Sequence, residues 1–213
     1  MDEINRTEIA HLIVAVIVLF VVFGTQFVYS GNYSALSRAM LFSFFLVLVF
    51  AFVRKLVAYF YDASVEHRIW HLERFGFQPK QRFTSPMPLG LIVPFIFTLI
   101  SLGKAFVVPL LTYETRPLKY RASRRFGYYS FTKMTEWHNA LIGASGIVTC
   151  FLVAALAYML NDTLLFKMSV YYAFWNLIPI SKLDGTQIFF GNRILWSALA
   201  IIALFLAMVA SLV

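Results

Sequence analysis

The sequence predicts an all-α polytopic membrane protein with about five transmembrane helices and a re-entrant hairpin region, and three observations carry that expectation. Hydrophobic residues make up 61% of the 213 and charged residues only 13%, more apolar side chain than a soluble domain of this size buries. The apolar residues fall in the runs 12–29, 39–53, 85–112, 140–160, 164–180 and 194–213, several of them near the ~20 residues that cross a bilayer as a helix. Segments 54–82 and 113–138 hold six Lys or Arg each and 181–193 holds two, fourteen of the chain's eighteen. Clustering of that kind marks loops on the cytoplasmic side.

Taken in order, the first run follows the charged "MDEINRTEIAH" and has no small-residue cleavage site, so it reads as a retained helix. With its outer loop it forms an N-terminal addition over 8–35. The second run meets Arg54 and Lys55 and continues as "LVAYFYDASVEHRIWHLERFGF", read as one long helix. Those two cations stand thirteen and twelve residues before His67. Either they mark the membrane surface and His67 projects beyond it, or they are buried and need partners. The run 85–112 is broken by Pro86, Pro88, Gly90, Pro94, Gly103 and Pro109, which suits a hairpin that enters and returns on one side. The last three runs then cross out, in and out, ending in a C-terminal helix over 194–213. The whole is a single multi-pass membrane domain, with the N-terminus and the basic loops cytoplasmic.

The remaining features have plain readings. A formal charge of +8 reflects the retained loops and not nucleic acid, and the lipid bilayer is the first partner. Cys150 sits in an apolar run as a small core residue. His11 and His138 lie near helix starts and serve interfacial hydrogen bonds, and Trp70, Trp137, Trp175 and Trp196 read as an interfacial belt. The basic loop 113–138, with "RPLKYRASRRFGYY", addresses anionic headgroups or docks a soluble partner.

Two distant stretches end on the same predicted side: "HRIWH", His67–His71, and "NLIPISKLDG", Asn176–Gly185. Histidines at i and i+4 lie about 40° apart around a helix, and Asp184 adds a carboxylate. Two histidines and a carboxylate with one open position make a catalytic type of zinc site.

These residues resemble the site-2 protease family of intramembrane zinc metallopeptidases, which carry a His-Glu-x-x-His helix and an Asn-Pro-x-x-x-Leu-Asp-Gly type of motif. "HRIWHLERFGF" is similar to the first in its histidines, Arg74 and Gly76. "NLIPISKLDGTQIFFGNR" is similar to the second in Asn176, Pro179, Leu183, Asp184 and Gly185. "PLGLIVPF" resembles the family's membrane-associated hairpin, and "ALIGASGIV" stands where the family has an Ala-Gly-Pro stretch. The resemblance covers a core over 36–193.

It implies zinc held by His67, His71 and Asp184, and a transmembrane helix as client or substrate. It also implies that Arg68 stands where the general-base glutamate belongs. A guanidinium does not give up its proton, so it cannot activate a zinc-bound water. The expected function is therefore a pseudoprotease that binds or regulates a transmembrane client, with Arg68 paired to Asp184 and no catalytic residue assigned. The alternatives are an active intramembrane zinc metallopeptidase cutting near the cytoplasmic face, and a bis-histidine haem protein with His11 or His138 as the opposite ligand.

Overall fold

The computed structural model describes residues 6–74, 82–118 and 134–213. Helices α1 (Arg6–Ser30) and α2 (Tyr33–Phe60) open the chain as an antiparallel pair. A tight turn joins them: Gly31 takes φ +67, and the Asn32 side chain caps α2 by accepting from the Ala35 amide at 3.1 Å. There follow β1 (Ala63–Ile69), β2 (Leu72–Arg74), β3 (Arg82–Met87), α3 (Leu89–Ser101) and β4 (Leu111–Pro117). The chain closes with α4 (Glu136–Met159), α5 (Thr163–Asn176), α6 (Asp184–Gly191) and α7 (Arg193–Leu212).

Four of these helices, α1, α2, α4 and α7, are long and apolar enough to cross a membrane, at 25, 28, 24 and 20 residues, which marks an integral membrane protein. The fifth expected crossing, 164–180, forms only the 14-residue α5. At 1.5 Å per residue it covers about 21 Å, short of a hydrocarbon core of about 30 Å. It is an interior helix, with Met168, Ser169, Val170, Tyr172 and Ala173 all at 0% exposure.

The fold is mostly helical with two short β ribbons, and one of them includes the stretch expected to form the histidine helix. Helix α2 stops at Phe60, and Asp62 at φ 54 turns the chain back. From Ala63 the burial alternates: Ala63, Val65, His67 and Ile69 face inward, while Ser64, Glu66 and Arg68 are less covered. Period two is the signature of a half-buried strand. Strand β1 pairs antiparallel with β4, from Ala63 opposite Pro117 to Ile69 opposite Leu111. A smaller ribbon joins β2 to β3.

The broken run 85–112 does leave and return. Strand β3 leads into α3, which ends at Leu102 (φ 52) and Gly103 (φ 76), and 104–110 comes back extended to start β4. Val107, Val108 and Leu110 in that return are buried. The Phe106 ring stacks on Phe23 at 4.5 Å, and the Trp175 indole donates to the Phe106 carbonyl at 2.6 Å. Irregular backbone inside an apolar molecule survives under such protein cover. Trp196 likewise donates to the Leu177 carbonyl at 3.0 Å and Trp70 is buried, so Trp137 is the exposed one of the four.

The bundle has two distinct ends. At one, Arg38 on α2 pairs with Asp162, the cap of α5, at 2.5 Å. At the other lie the β1–β4 ribbon and the turn before α6. Single cysteines at Ser34 and Thr163 should therefore react with an impermeant thiol reagent from one side of sealed vesicles, and one at Lys182 from the opposite side. Labelling of all three from one side would contradict this arrangement.

Candidate functional site

A buried ion pair lies where α2, α4 and α6 meet. The guanidinium of Arg54 grips the Asp184 carboxylate as a fork, Nη2 to Oδ2 at 2.5 Å and Nη1 to Oδ1 at 3.4 Å. Both side chains are at 0% exposure. The guanidinium carbon sits 4.1 Å from the centre of the Phe50 ring and 4.5 Å from that of Tyr113, faces that favour a cation in a dry site. Asp184 opens α6, so its charge also meets the positive end of that helix.

Local sequence explains why the pair fits. The "IGASG" stretch puts Gly143 and Gly146 on the face of α4 turned toward the site. A Cβ on Gly146 would lie 2.5 Å from Arg54 Nη2 and 2.8 Å from the Phe50 ring, and one on Gly143 would collide with the Tyr113 hydroxyl. That hydroxyl donates to the Asn139 carbonyl at 2.8 Å, and burial pushes its pKa up, so it stays a neutral donor. One turn past Asp184, Gln187 donates to the Tyr113 carbonyl at 3.0 Å and accepts from Asn139 Nδ2 at 2.7 Å. These bonds lock α6, β4 and α4 together around the charge pair.

Beside it is a second charged group. Glu8 on α1 is 3% exposed and accepts from the Lys55 ammonium at 2.7 Å, the His67 amide at 3.2 Å and His67 Nδ1 at 2.9 Å. His67 is fully buried. Burial pushes its pKa down to about 4, against the pull of the Glu8 hydrogen bond. The imidazole is therefore neutral at physiological pH, with its proton on Nδ1 toward Glu8. Its Nε2 has no partner among the described residues.

The expected site is not assembled as the sequence suggested. His67 and His71 are not a helical pair: His67 points inward from β1, and His71 lies beyond the strand, its Nδ1 bonded to the Ile69 carbonyl at 2.5 Å. Asp184 is held by Arg54 and not by Arg68. Arg68, on the outer face of β1, pairs with Glu66 at 3.2 Å and Glu114 at 3.4 Å. Among the described residues no group of three or more His, Cys, Asp or Glu is placed to hold a metal ion. Asp184 is held by Arg54, His67 faces Glu8 and His71 lies beyond the strand, so the three donors of the zinc set do not converge on one point.

Of the other histidines, His138 bonds Thr135 Oγ1 at 2.7 Å next to the Tyr61 ring. His11 lies by His71. Most of the basic loop 113–138, over 119–133, and Gly76 lie outside the described residues.

Sequence reasoning missed Glu8, and it left burial with a partner as one of two readings for Arg54 and Lys55 without naming either partner. The signal was present in each: an ionisable residue within an apolar helix implies a buried partner or a function. "FVRKLVAYF" carries two such residues at mid-run, and their partners come from α1 and α6, far away in the chain.

Compared with protein-family models, with curated proteins and with solved structures, the chain matches none.

Two outcomes follow from this geometry. Arg54→Ala should lower stability by about 3–5 kcal/mol, because it strands a buried carboxylate, while Arg54→Met with Asp184→Leu should recover most of that loss in chemical or thermal unfolding. For His67 the unfolded chain takes up a proton near pH 6.5 that the folded chain refuses until about pH 4. Stability should therefore fall as pH drops through that window, by up to about 3 kcal/mol, and His67→Gln should flatten the dependence.

Proposed function

We propose that this is a membrane-embedded pseudoprotease, a non-proteolytic relative of the site-2 proteases that binds or regulates a transmembrane client, with its ribbon end in the cytoplasm. The Arg54–Asp184 pair carries this reading. Asp184 is the carboxylate that the Leu-Asp-Gly resemblance makes a metal ligand. The α2 positions turned toward its surroundings are Arg54 and, one turn on, Ala58, both at 0% exposure.

Set against His-Glu-x-x-His, the matching stretch is then "RKLVA", Arg54–Ala58, and not "HRIWH". A guanidinium takes the place of the first imidazole, an ammonium that of the base, and a methyl group that of the second imidazole. The positive charge that a zinc ion would bring to Asp184 is supplied by Arg54, and Lys55 is engaged by Glu8 at 2.7 Å. No hydrolytic step is assigned to such a set, because it offers no group to accept a proton from water at the pair. What persists is a rigid junction of three helices in the bilayer, suited to binding a helix without cutting it.

The decisive experiment rebuilds the site. Arg54→His, Lys55→Glu and Ala58→His together should give a protein that takes up near-stoichiometric zinc. Measured in a His11→Ala background, which removes the nearby histidine pair of His11 and His71, that zinc should be lost on adding Asp184→Asn. A triple variant whose zinc content ignores Asp184 would refute the assignment, as would Asp184-dependent zinc in the unsubstituted chain.

A further inference from the structure

A polar groove of about 520 Å³ opens beside the ribbon, between the start of α1 and the outer face of β1. His11 and His71 line it together with Glu66, Arg68, Glu73 and Lys182. The two imidazoles come from elements 60 residues apart in the chain, yet their ring centres are 6.4 Å apart with planes at 79°. We propose that His11 and His71 form a binding site for a late first-row divalent transition-metal ion, with water completing its coordination. This site is separate from the Arg54–Asp184 junction and does not rest on the pseudoprotease reading.

Three features support it. First, an ion bound at about 2.0–2.1 Å from a nitrogen of each ring would hold the ring centres roughly 5–6 Å apart, so small side-chain rotations close the gap. Second, the tautomer of His71 is fixed. Its Nδ1–H donates to the Ile69 carbonyl at 2.5 Å, which leaves the Nε2 lone pair free to bind and orients the ring, the usual outer-shell support of a metal-binding histidine.

Third, the charged side chains around the rings are already engaged with one another. Glu73 holds Lys182 at 2.6 Å, and Glu66 and Glu114 hold Arg68 at 3.2 and 3.4 Å. By contrast, neither nitrogen of His11 has a hydrogen-bond partner among the described residues. With Arg116, which pairs with Glu66 at 3.2 Å, the carboxylates Glu66, Glu73 and Glu114 balance the cations Arg68, Arg116 and Lys182 at three each, so the groove carries no excess positive charge to repel a dication. Ion-paired walls also suit a hydrated ion better than the apolar faces of a haem. Imidazole ligands favour copper, nickel and zinc, with Cu²⁺ bound most tightly.

Titration of Cu²⁺ into the chelator-treated full chain in nanodiscs, read by electron paramagnetic resonance, tests this. One Cu²⁺ per chain with coupling to two imidazole nitrogens is expected. His11→Gln and His71→Gln should each weaken binding by at least about ten-fold and reduce the coupling to one nitrogen, whereas His138→Gln should change neither. Unfolding of each variant without copper checks that the fold is retained. If His11→Gln destabilises the chain, His11→Asn and His71→Asn decide by the same readout. Unchanged affinity in the His11 variants, or a signal from a single nitrogen in the unsubstituted protein, would overturn the proposal.

Discussion

The structure depends on one constraint: a full positive charge and a full negative charge stand at zero exposure inside an apolar bundle, and each is tolerable only because of the other. That pairing dictates its surroundings. Two glycines on α4 make room, two aromatic rings provide faces for the guanidinium, and α6 begins at the residue that carries the carboxylate. The polar ladder from Asn139 through Gln187 to the Tyr113 carbonyl then satisfies the groups that the close approach of three elements would leave bare.

The turn at Asp62 is the second organising event. Had α2 run on, His67 would stand about 18–20 Å further along the axis than Arg54 and Lys55. By reversing into β1, the chain brings His67 back beside them, where Glu8 on α1 reaches both His67 and Lys55. The N-terminal helix is thus an integral wall of the polar region. Glu8 also supplies the charge that lets Lys55 remain within an apolar helix, only one third exposed.

Much of the architecture was legible in the sequence. Of the five crossings expected from apolar run length, four match α1, α2, α4 and α7 and the fifth is the short α5, while the prolines and glycines of 85–112 fit a chain that doubles back. Asp184 stood out as an ionisable residue in an apolar setting. The strand was legible too, since Ala63, Val65, His67 and Ile69 alternate with Ser64, Glu66 and Arg68. The four-residue spacing of His67 and His71 fits a period of 3.6 as well, which is why the stretch also reads as a helix. What could not be read was pairing: nothing local ties Arg54 to Asp184 or Glu8 to Lys55, because those contacts join residues 130 and 47 positions apart.

The separation of Arg54 from Asp184 has a consequence for how the protein is made. Ribosomes deliver about 5–20 residues per second, so α2 emerges roughly 6–26 s before its counter-charge exists. During that interval a lone arginine resides in an apolar helix, where it must reach toward a headgroup or water. Helix α2 therefore cannot settle at its final depth when it is first inserted. It waits until the turn at Leu183–Asp184 has been translated, and the last third of the chain sets the position of the first.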